Sequence, residues 1–221
     1  LTTDGCGVRM LDPETGERRE GSREDLAKFA VLADALESVQ IFWPTIVASD
    51  VPKPVHELHE LVTSLLNTVK HVEHESLSAR EARYEIEVAS AILGEEGALK
   101  KRPIISVVQC PLSPLGYEKG SIEATVEFAM AGVPLVAMAM PQPGGTGPVT
   151  LAGTLALSNA ETLGSLIVTQ FANPGAPFIY SIVAHPMDPK LGVGANGAPE
   201  GAVIGAAAVQ MAKYYGLPCE G

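Results

Sequence analysis

Residues 134–171 read, in succession, PLVAMAM, PQPGGTG and PVTLAGTLALSNAETLGSLIVTQF. The first part is short and almost wholly apolar, which is typical of a buried parallel strand. The middle part is rich in Gly and Pro, which indicates a turn. The last part is long and contains few breaking residues, which favours a helix. The stretch therefore predicts a strand, a tight turn and a long helix, which together make one βα unit.

The helix of this unit has its own apolar pattern. Pro148 suits a first turn, and Asn173 with the following Pro and Gly ends the helix. Its large apolar side chains recur at spacings of four or eight, so we expect one stripe to lie against a sheet. The stripe consists of Leu151, Leu155, Leu163, Ile167 and Phe171.

The same alternation of short apolar runs and helical segments extends in both directions along the chain. It predicts five strands, namely Val39–Ala48, Leu66–His71, Ile104–Gln109, Pro134–Met140 and Phe178–Val183. Helix signals separate them, including possible capping boxes at Ser22 and Ser78 and terminal glycines at Gly94 and Gly132. A final helix is expected from Pro199 to Tyr215, after which another strand should begin.

Repeated βα units predict an α/β fold with a parallel sheet. Two architectures remain: an open doubly wound sheet, or part of a (β/α)8 TIM barrel, which takes about 250 residues when complete. We favour a partial barrel of about five βα units. It would occupy residues 39–221, with residues 1–38 forming an N-terminal segment and a helix that packs on the barrel.

The composition limits the functional classes. A formal net charge of −11 disfavours nucleic acid as a partner. The three cysteines are widely spaced, which fits a reducing, cytoplasmic location. We expect no membrane segment, because residues 133–140 are too short and Asn159 and Glu161 interrupt the helix that follows.

The Gly-rich turn at residues 140–150 is a candidate binding site. Its backbone N–H groups and the helix that follows could hold an anion or a carboxylate, and the alternative is simply a tight turn. Active sites of these barrels lie at the carboxyl ends of the strands, where this turn is expected. The candidate binding residues are Gln142, Gly144, Gly145 and Thr146.

Four further candidate binding residues are expected at other strand ends: His71, Gln109, Tyr180 and His185. Tyr180 could offer an aromatic face to a cation, or could be a core residue. His185 with Asp188 could do acid–base work, or could form a loop turn. Lys70 beside His71 leaves open an aldolase-like barrel with a Schiff-base lysine. The pattern assigns no catalytic residue.

Other motifs are less informative. Gly192–Gly197 matches G-x-G-x-x-G but does not directly follow a predicted strand, so we expect a loop that covers substrate rather than a nucleotide site. His56 with His59, and His71 with His74, have H-x-x-H spacing among glutamates, which is not the spacing of a zinc protease helix. Both groups favour a solvated charged face, and no metal site is expected.

Three stretches resemble the trimethylamine methyltransferase family. They are GPVTLAGTLALSNAETL at residues 147–163 followed by NPGAP at 173–177, AKYYGLP at 212–218, and residues 16–36, where a Gly-x-x-Arg stretch precedes a helix ending in Ala-Asp-Ala-Leu. The resemblance extends over essentially the whole chain.

The resemblance implies a (β/α)8 barrel that moves a methyl group from a tertiary or quaternary amine, such as trimethylamine or a betaine, to the cobalt of a corrinoid protein. The corrinoid belongs to that partner, so no directly bound cofactor is expected, and a homo-oligomer is possible. Some family members carry pyrrolysine at a position that the resemblance places beyond Gly221. A fragment that only folds or binds a partner is the competing interpretation.

Overall fold

The computed structural model describes residues 1–95 and 97–220. Its helices and strands, in chain order, are β1 (Arg9–Leu11), β2 (Arg18–Glu20), α1 (Arg23–Ala35), β3 (Ile41–Phe42), α2 (His56–Asn67), β4 (His71–Glu75), α3 (Ala79–Leu93), α4 (Ala98–Lys101), β5 (Ile105–Gln109), α5 (Lys119–Ala131), β6 (Leu135–Ala139), α6 (Leu151–Ala172), β7 (Phe178–Ile182), β8 (Met187–Asp188), β9 (Val193–Gly194), α7 (Pro199–Tyr215) and β10 (Cys219–Glu220).

The chain divides into two compact units. The first contains Leu1–Ser76 and Arg80–Ser106, and the second contains Leu77–Ala79 and Val107–Gly221. The boundary falls inside β5, so this strand contributes residues to both units. The division expected at residue 38 stays a prediction.

Six strands form a sheet with the order β10-β7-β6-β5-β4-β3. The pairs β3–β4, β5–β6, β6–β7 and β7–β10 are parallel. Successive strands are therefore neighbours, which is the arrangement in a (β/α)8 barrel. The fold class predicted from the sequence is confirmed as part of such a barrel. The hairpins β1–β2 and β8–β9 are antiparallel and lie outside this sheet.

The positions of three predicted strands, now β5, β6 and β7, are confirmed to within one residue at each end, whereas only Ile41–Phe42 of the predicted strand Val39–Ala48 is a strand. The strand expected at Leu66–His71 is wrong, because Leu66 belongs to α2 and β4 begins at His71. Leu66 and Val69 are largely exposed, whereas Val72 and Glu73 are fully buried. The apolar run was thus a helix end and a turn, and the buried strand has the polar sequence HVEHE.

Capping follows the sequence in several helices. Ser22 caps α1 and forms a capping box with Asp25, as predicted. Arg19 reinforces this turn by donating to both carboxylate oxygens of Asp25, at 2.6 and 2.8 Å.

The apolar side of α1 packs with Phe42 and Ile46 in a buried cluster of the first unit. The predicted ends of α7, Pro199 and Tyr215, are confirmed, as is the strand that follows it.

The long helix α6 packs differently from the prediction. Ile167 and Phe171 of the expected apolar stripe are 56% and 87% exposed. The face that is buried consists of small or polar residues, namely Thr154, Ser158, Glu161, Thr162, Ser165 and Thr169.

Three hydroxyls on this face, those of Ser158, Ser165 and Thr169, donate to carbonyls four residues earlier in the helix. They therefore need no water when they are buried. Thr162 donates instead to the Ser181 carbonyl of β7, at 3.2 Å.

By length and composition, α6 is the one helix among residues 1–95 and 97–220 that could cross a membrane. It connects β6 to β7 and buries a polar face that includes the Glu161 side chain. This packing is that of a helix in an α/β layer. Length and apolar composition alone are weak evidence that a helix crosses a membrane.

We predict that Ser165→Leu destabilises the chain more than Phe171→Ser does. Ser165 is fully buried and donates to Gln109 Oε1 at 2.5 Å. Overpacking alone should cost about 1–3 kcal/mol, whereas the exposed Phe171 site should change stability by about 0.5 kcal/mol or less. Urea unfolding would measure both. A larger loss for Phe171→Ser would show that the apolar stripe is the packed face.

Candidate active site

Polar side chains of the first unit gather where β3 and β4 end. Trp43 directly follows β3, and Glu75 is the last residue of β4. They line a cavity of about 110 Å³. The full lining is Cys6, Trp43, Pro44, Val47, His56, Glu57, Glu60, His74 and Glu75.

The N-terminal segment fixes Trp43. Thr3 Oγ1 accepts from the Trp43 N–H at 2.8 Å and donates to its carbonyl at 2.7 Å. Gly5 lies against the indole so closely that a Cβ there would overlap the ring. The absence of a side chain at Gly5 therefore allows the indole its position in the cavity wall.

The first turns of α2 bring acidic residues to the same cavity. Glu60 Oε1 accepts from the Ala48 N–H at 2.7 Å and lies 3.1 Å from His56 Nε2. Glu57 lies in the first turn of α2, where the helix dipole favours a negative charge.

His74 lies between the cavity and α3. Its Nδ1 is 3.6 Å from Glu85 Oε2, and both side chains are almost completely buried. Burial opposes protonation of the imidazole, but the carboxylates of Glu85, Glu60 and Glu57 outweigh it and raise the pKa of His74.

Two carboxyl groups of the cavity, those of Glu57 and Glu75, hold protons more tightly than usual. Burial, with the nearby Glu81 carboxyl, raises the pKa of Glu57 to about 8. Burial also raises the pKa of Glu75. Loss of solvation and the Glu75 and Glu60 carboxylates raise the pKa of the Cys6 thiol to about 12, so it is not a thiolate at neutral pH. A wall of carboxyls beside an indole suits a cationic ligand.

The interpretation of the H-x-x-H groups as a solvated face is wrong for Glu60, Glu73 and His74, which are buried. Among residues 1–95 and 97–220, no group of three or more His, Cys, Asp or Glu side chains has metal-binding geometry. Sequence reasoning also missed Trp43. The one available signal was an aromatic residue inside the predicted strand Val39–Ala48.

In the second unit, the Gly-rich turn follows β6 as predicted. Its N–H groups are largely used within the turn, because Gly145 and Gly147 donate to the Gln142 carbonyl and Gly144 donates to the Gly147 carbonyl. Thr146 Oγ1 accepts from the Gln142 N–H, and Thr150 caps α6. The tight-turn interpretation therefore describes the geometry, and these donors are not free for an anion.

His185 follows β7, next to the strand that carries the Gly-rich turn. Its ring lies against Gly201 in the first turns of α7. Asp188 accepts from the N–H groups of Lys190 and Leu191, so it forms the turn of the β8–β9 hairpin. The G-x-G-x-x-G motif spans the end of that hairpin, which packs on the Gly-rich turn through a bond from Met187 N–H to the Pro143 carbonyl.

Gln109 and Tyr180 face the helix layer rather than a strand-end opening. Both pair with Ala137 of β6, which places them on one face of the sheet. Gln109 Oε1 accepts from Ser165 of α6, and the Tyr180 hydroxyl donates to Asn159 of α6 at 2.9 Å. Their predicted position at the mouth is wrong, because alternation along each strand turns these side chains to α6.

His71 begins β4 instead of ending it, so its predicted position at the carboxyl end is also wrong. Its Nε2 lies 2.9 Å from Ser106 Oγ. Lys70 precedes β4, and its ammonium donates to the carbonyls of Ala33 and Leu36 at the end of α1, each at 2.5 Å. This lysine therefore caps a helix.

The sequential parallel strands define the chain as part of a (β/α)8 barrel. A crystal structure of dihydropteroate synthase from Stenotrophomonas maltophilia has the same fold, with a TM-score of 0.50 and 13% identity over 97% of this chain and 69% of that one. The model of the family "Trimethylamine methyltransferase (MTTB)" matches residues 6–221. The chain belongs to this family, which confirms the resemblance.

Curated relatives include enzymes named for two substrates. Trimethylamine methyltransferase MttB of Desulfitobacterium hafniense is 34% identical over 97% of this chain and 43% of that protein. The protein of the same name from Methanosarcina barkeri is 33% identical over 98% of this chain and 45% of that protein. Glycine betaine methyltransferase of D. hafniense is 31% identical over 97% of this chain and 45% of that protein. The chain spans less than half the length of these relatives.

We predict that Gly5→Ala displaces the indole of Trp43. The new methyl group would overlap the ring, and relieving that overlap should cost about 1–3 kcal/mol. Trp43 is the one tryptophan in the sequence, so its fluorescence reports on this cavity. Gly197→Ala is the matched control, because a Cβ there meets nothing within 4 Å. Identical spectra for both variants would contradict the packing described.

We also predict that Glu57 makes the chain less stable as the pH rises. Its pKa is raised from 4.5 in the unfolded chain to about 8 in the fold. The folded state therefore binds the proton more tightly than the unfolded chain does, and this binding stabilises the fold. The stabilisation is complete below about pH 4.5 and is lost progressively between about pH 4.5 and about pH 8. Glu57→Gln should flatten the dependence of melting temperature on pH, and Glu87→Gln, exposed on α3, should not. Equal slopes for all three proteins would be the contrary result.

Proposed function

We propose that the protein containing this chain transfers a methyl group from a tertiary or quaternary methylated amine to the cobalt of a corrinoid protein. Membership of the trimethylamine methyltransferase family supports this more than any single residue does. Relatives named for trimethylamine and for glycine betaine support a methylated amine as the donor.

The chemistry of the donor agrees with the cavity of the first unit. An amine leaves readily only when it is positively charged, because the C–N bond breaks with both electrons remaining on nitrogen. The cobalt(I) of the partner supplies the electron pair for the new bond to the methyl group. The protein's task is then to hold a cation in line with its partner, so positioning supplies most of the catalysis.

A quaternary ammonium carries its charge permanently, whereas a tertiary amine must first be protonated. Trp43 offers an aromatic face worth about 0.5–2 kcal/mol to such a cation, and the carboxyl groups of Glu57, Glu60 and Glu75 line the same cavity. We therefore favour a quaternary amine such as a betaine. Corrinoid would come with the partner, in a reducing, cytoplasmic compartment.

The aldolase alternative has no support in the geometry. Lys70 lies at the amino end of β4, and its ammonium is bonded to two carbonyls. A Schiff-base lysine needs a desolvated and unprotonated amine near the substrate.

We predict methyl transfer by the complete gene product that contains this sequence. With a reduced corrinoid protein and either glycine betaine, another betaine or trimethylamine, the visible spectrum should change from cobalt(I) to methylcobalt(III). Trp43→Leu should raise the KM for a quaternary donor by about 3- to 30-fold, because the cation loses its aromatic face, and Trp43→Phe should raise it less.

Omission of either the amine or the corrinoid protein should abolish the change. A spectrum that stays constant with every methylated amine, while the corrinoid protein is competent with a known donor, would leave only a role in folding or partner binding.

A further inference from the structure

The cavity at the ends of β3 and β4 is small. Pockets for drug-sized ligands are about 300–1,000 Å³, whereas this one is about 110 Å³. It can therefore take a group of a few heavy atoms, such as one ammonium head group with its methyls, and not a whole cofactor.

Acidic groups outnumber basic groups around this cavity. The ionisable side chains that face Glu57 come from its own helix, from β4 and from α3; they are Glu60, His56, His74, Glu75, Glu81 and Glu85. The Cys6 thiol completes the set from the N-terminal segment. Four of these six side chains are carboxyls and the other two are imidazoles.

Two polar atoms on the cavity wall lack a hydrogen bond. Glu57 Oε2 and His74 Nδ1 are both buried without a hydrogen-bond partner among the described residues. His74 is only 3% exposed, and its nearest carboxylate oxygen, on Glu85, is 3.6 Å away. Buried polar atoms are nearly always paired, and Glu57 Oε2 is an acceptor that a cation in the cavity could satisfy by electrostatic contact.

Trp43 supplies the apolar part of the wall. One side of the indole is covered by Gly5, which holds the ring in place, and the ring also borders the cavity. An aromatic ring and carboxyl groups around one small space are the combination that recognises a quaternary ammonium.

We propose that this cavity binds the ammonium head group of the methyl donor in exchange for the proton of Glu57. This inference rests on the proposed function for the identity of the donor. One positive charge enters with the ligand, and one proton leaves the Glu57 carboxyl for the solvent, so the charge of the site is conserved. The Glu57 carboxylate, which lines the cavity, then faces the cation.

The exchange makes binding depend on pH. With its pKa near 8, Glu57 holds its proton at neutral pH. Affinity for a permanent cation should therefore increase as the pH rises from about 6 to about 8, by up to about tenfold per pH unit. A neutral ligand of the same shape has no charge to exchange.

Choline and its neutral tert-butyl analogue are the matched probes. Isothermal titration of the complete gene product in two buffers of different ionisation enthalpy measures the protons released on binding. Choline should bind with the release of between about half a proton and one proton at neutral pH. The tert-butyl analogue should bind at least about tenfold more weakly and release none.

Variants separate the two parts of the inference. Glu57→Gln should abolish proton release and remove the dependence of affinity on pH, and Glu87→Gln should change neither. Trp43→Leu should weaken choline binding by about 3- to 30-fold, and Trp43→Phe less. Circular dichroism identifies any variant that fails to fold. Glu81→Gln is then the second test, because it removes a carboxyl that raises the pKa of Glu57 and should weaken the dependence of affinity on pH.

Choline binding without proton release, or proton release that survives Glu57→Gln, would overturn the inference. So would choline affinity that is equal to that of the neutral analogue. If methyl transfer occurs and these results fail, the head group binds elsewhere and the proposed function stands. If choline binds with proton release but no amine donates a methyl group, the cation site stands and the proposed function fails.

Discussion

The close approach of α6 to β6 and β7 is the constraint on which the second unit depends. A helix can lie this near a sheet only if its facing side chains are small, and the buried face of α6 has serine and threonine where leucine was expected. Each hydroxyl is costly to bury unless it is bonded, and the helix supplies most of the acceptors from its own carbonyls. The large apolar residues are consequently displaced from this face; Ile167 and Phe171 are exposed and the leucines are half-buried.

The same helix also orders the segment that follows β5. Glu161 is buried in the middle of α6, and its carboxylate accepts from Ser113 Oγ and the Leu115 N–H, each at 2.9 Å. Tyr117 donates to the Glu161 carbonyl and lies where a Cβ of Gly164 would be. A carboxylate buried in a helix costs stability unless all its contacts are satisfied. Here those contacts fix a loop at the carboxyl end of a strand, where barrel sites form.

Sequence reasoning succeeded where local chemistry decides the structure. The Ser22 capping box, the Gly132 helix end and the apolar strands β5, β6 and β7 all depend on neighbouring residues. It failed where the packing partner decides. Nothing local shows that HVEHE is a buried strand, because its polar side chains are buried by residues distant in the chain, such as Glu85 beside His74. The face of the sheet on which Gln109 and Tyr180 lie likewise depends on the register of their strands, which the sequence alone does not reveal.

The carboxyl groups near Trp43 violate the rule that buried charges are paired, and such violations are expected at functional sites. Loss of solvation and the neighbouring Glu81 carboxyl raise the pKa of Glu57, and burial raises that of Glu75, so burial and carboxylate repulsion oppose ionisation here. Replacement of these residues by apolar side chains would relieve that repulsion. A protein that retains such a cluster gains something other than stability from it. A ligand that brings a fixed positive charge relieves the same repulsion, and does so only while it is bound.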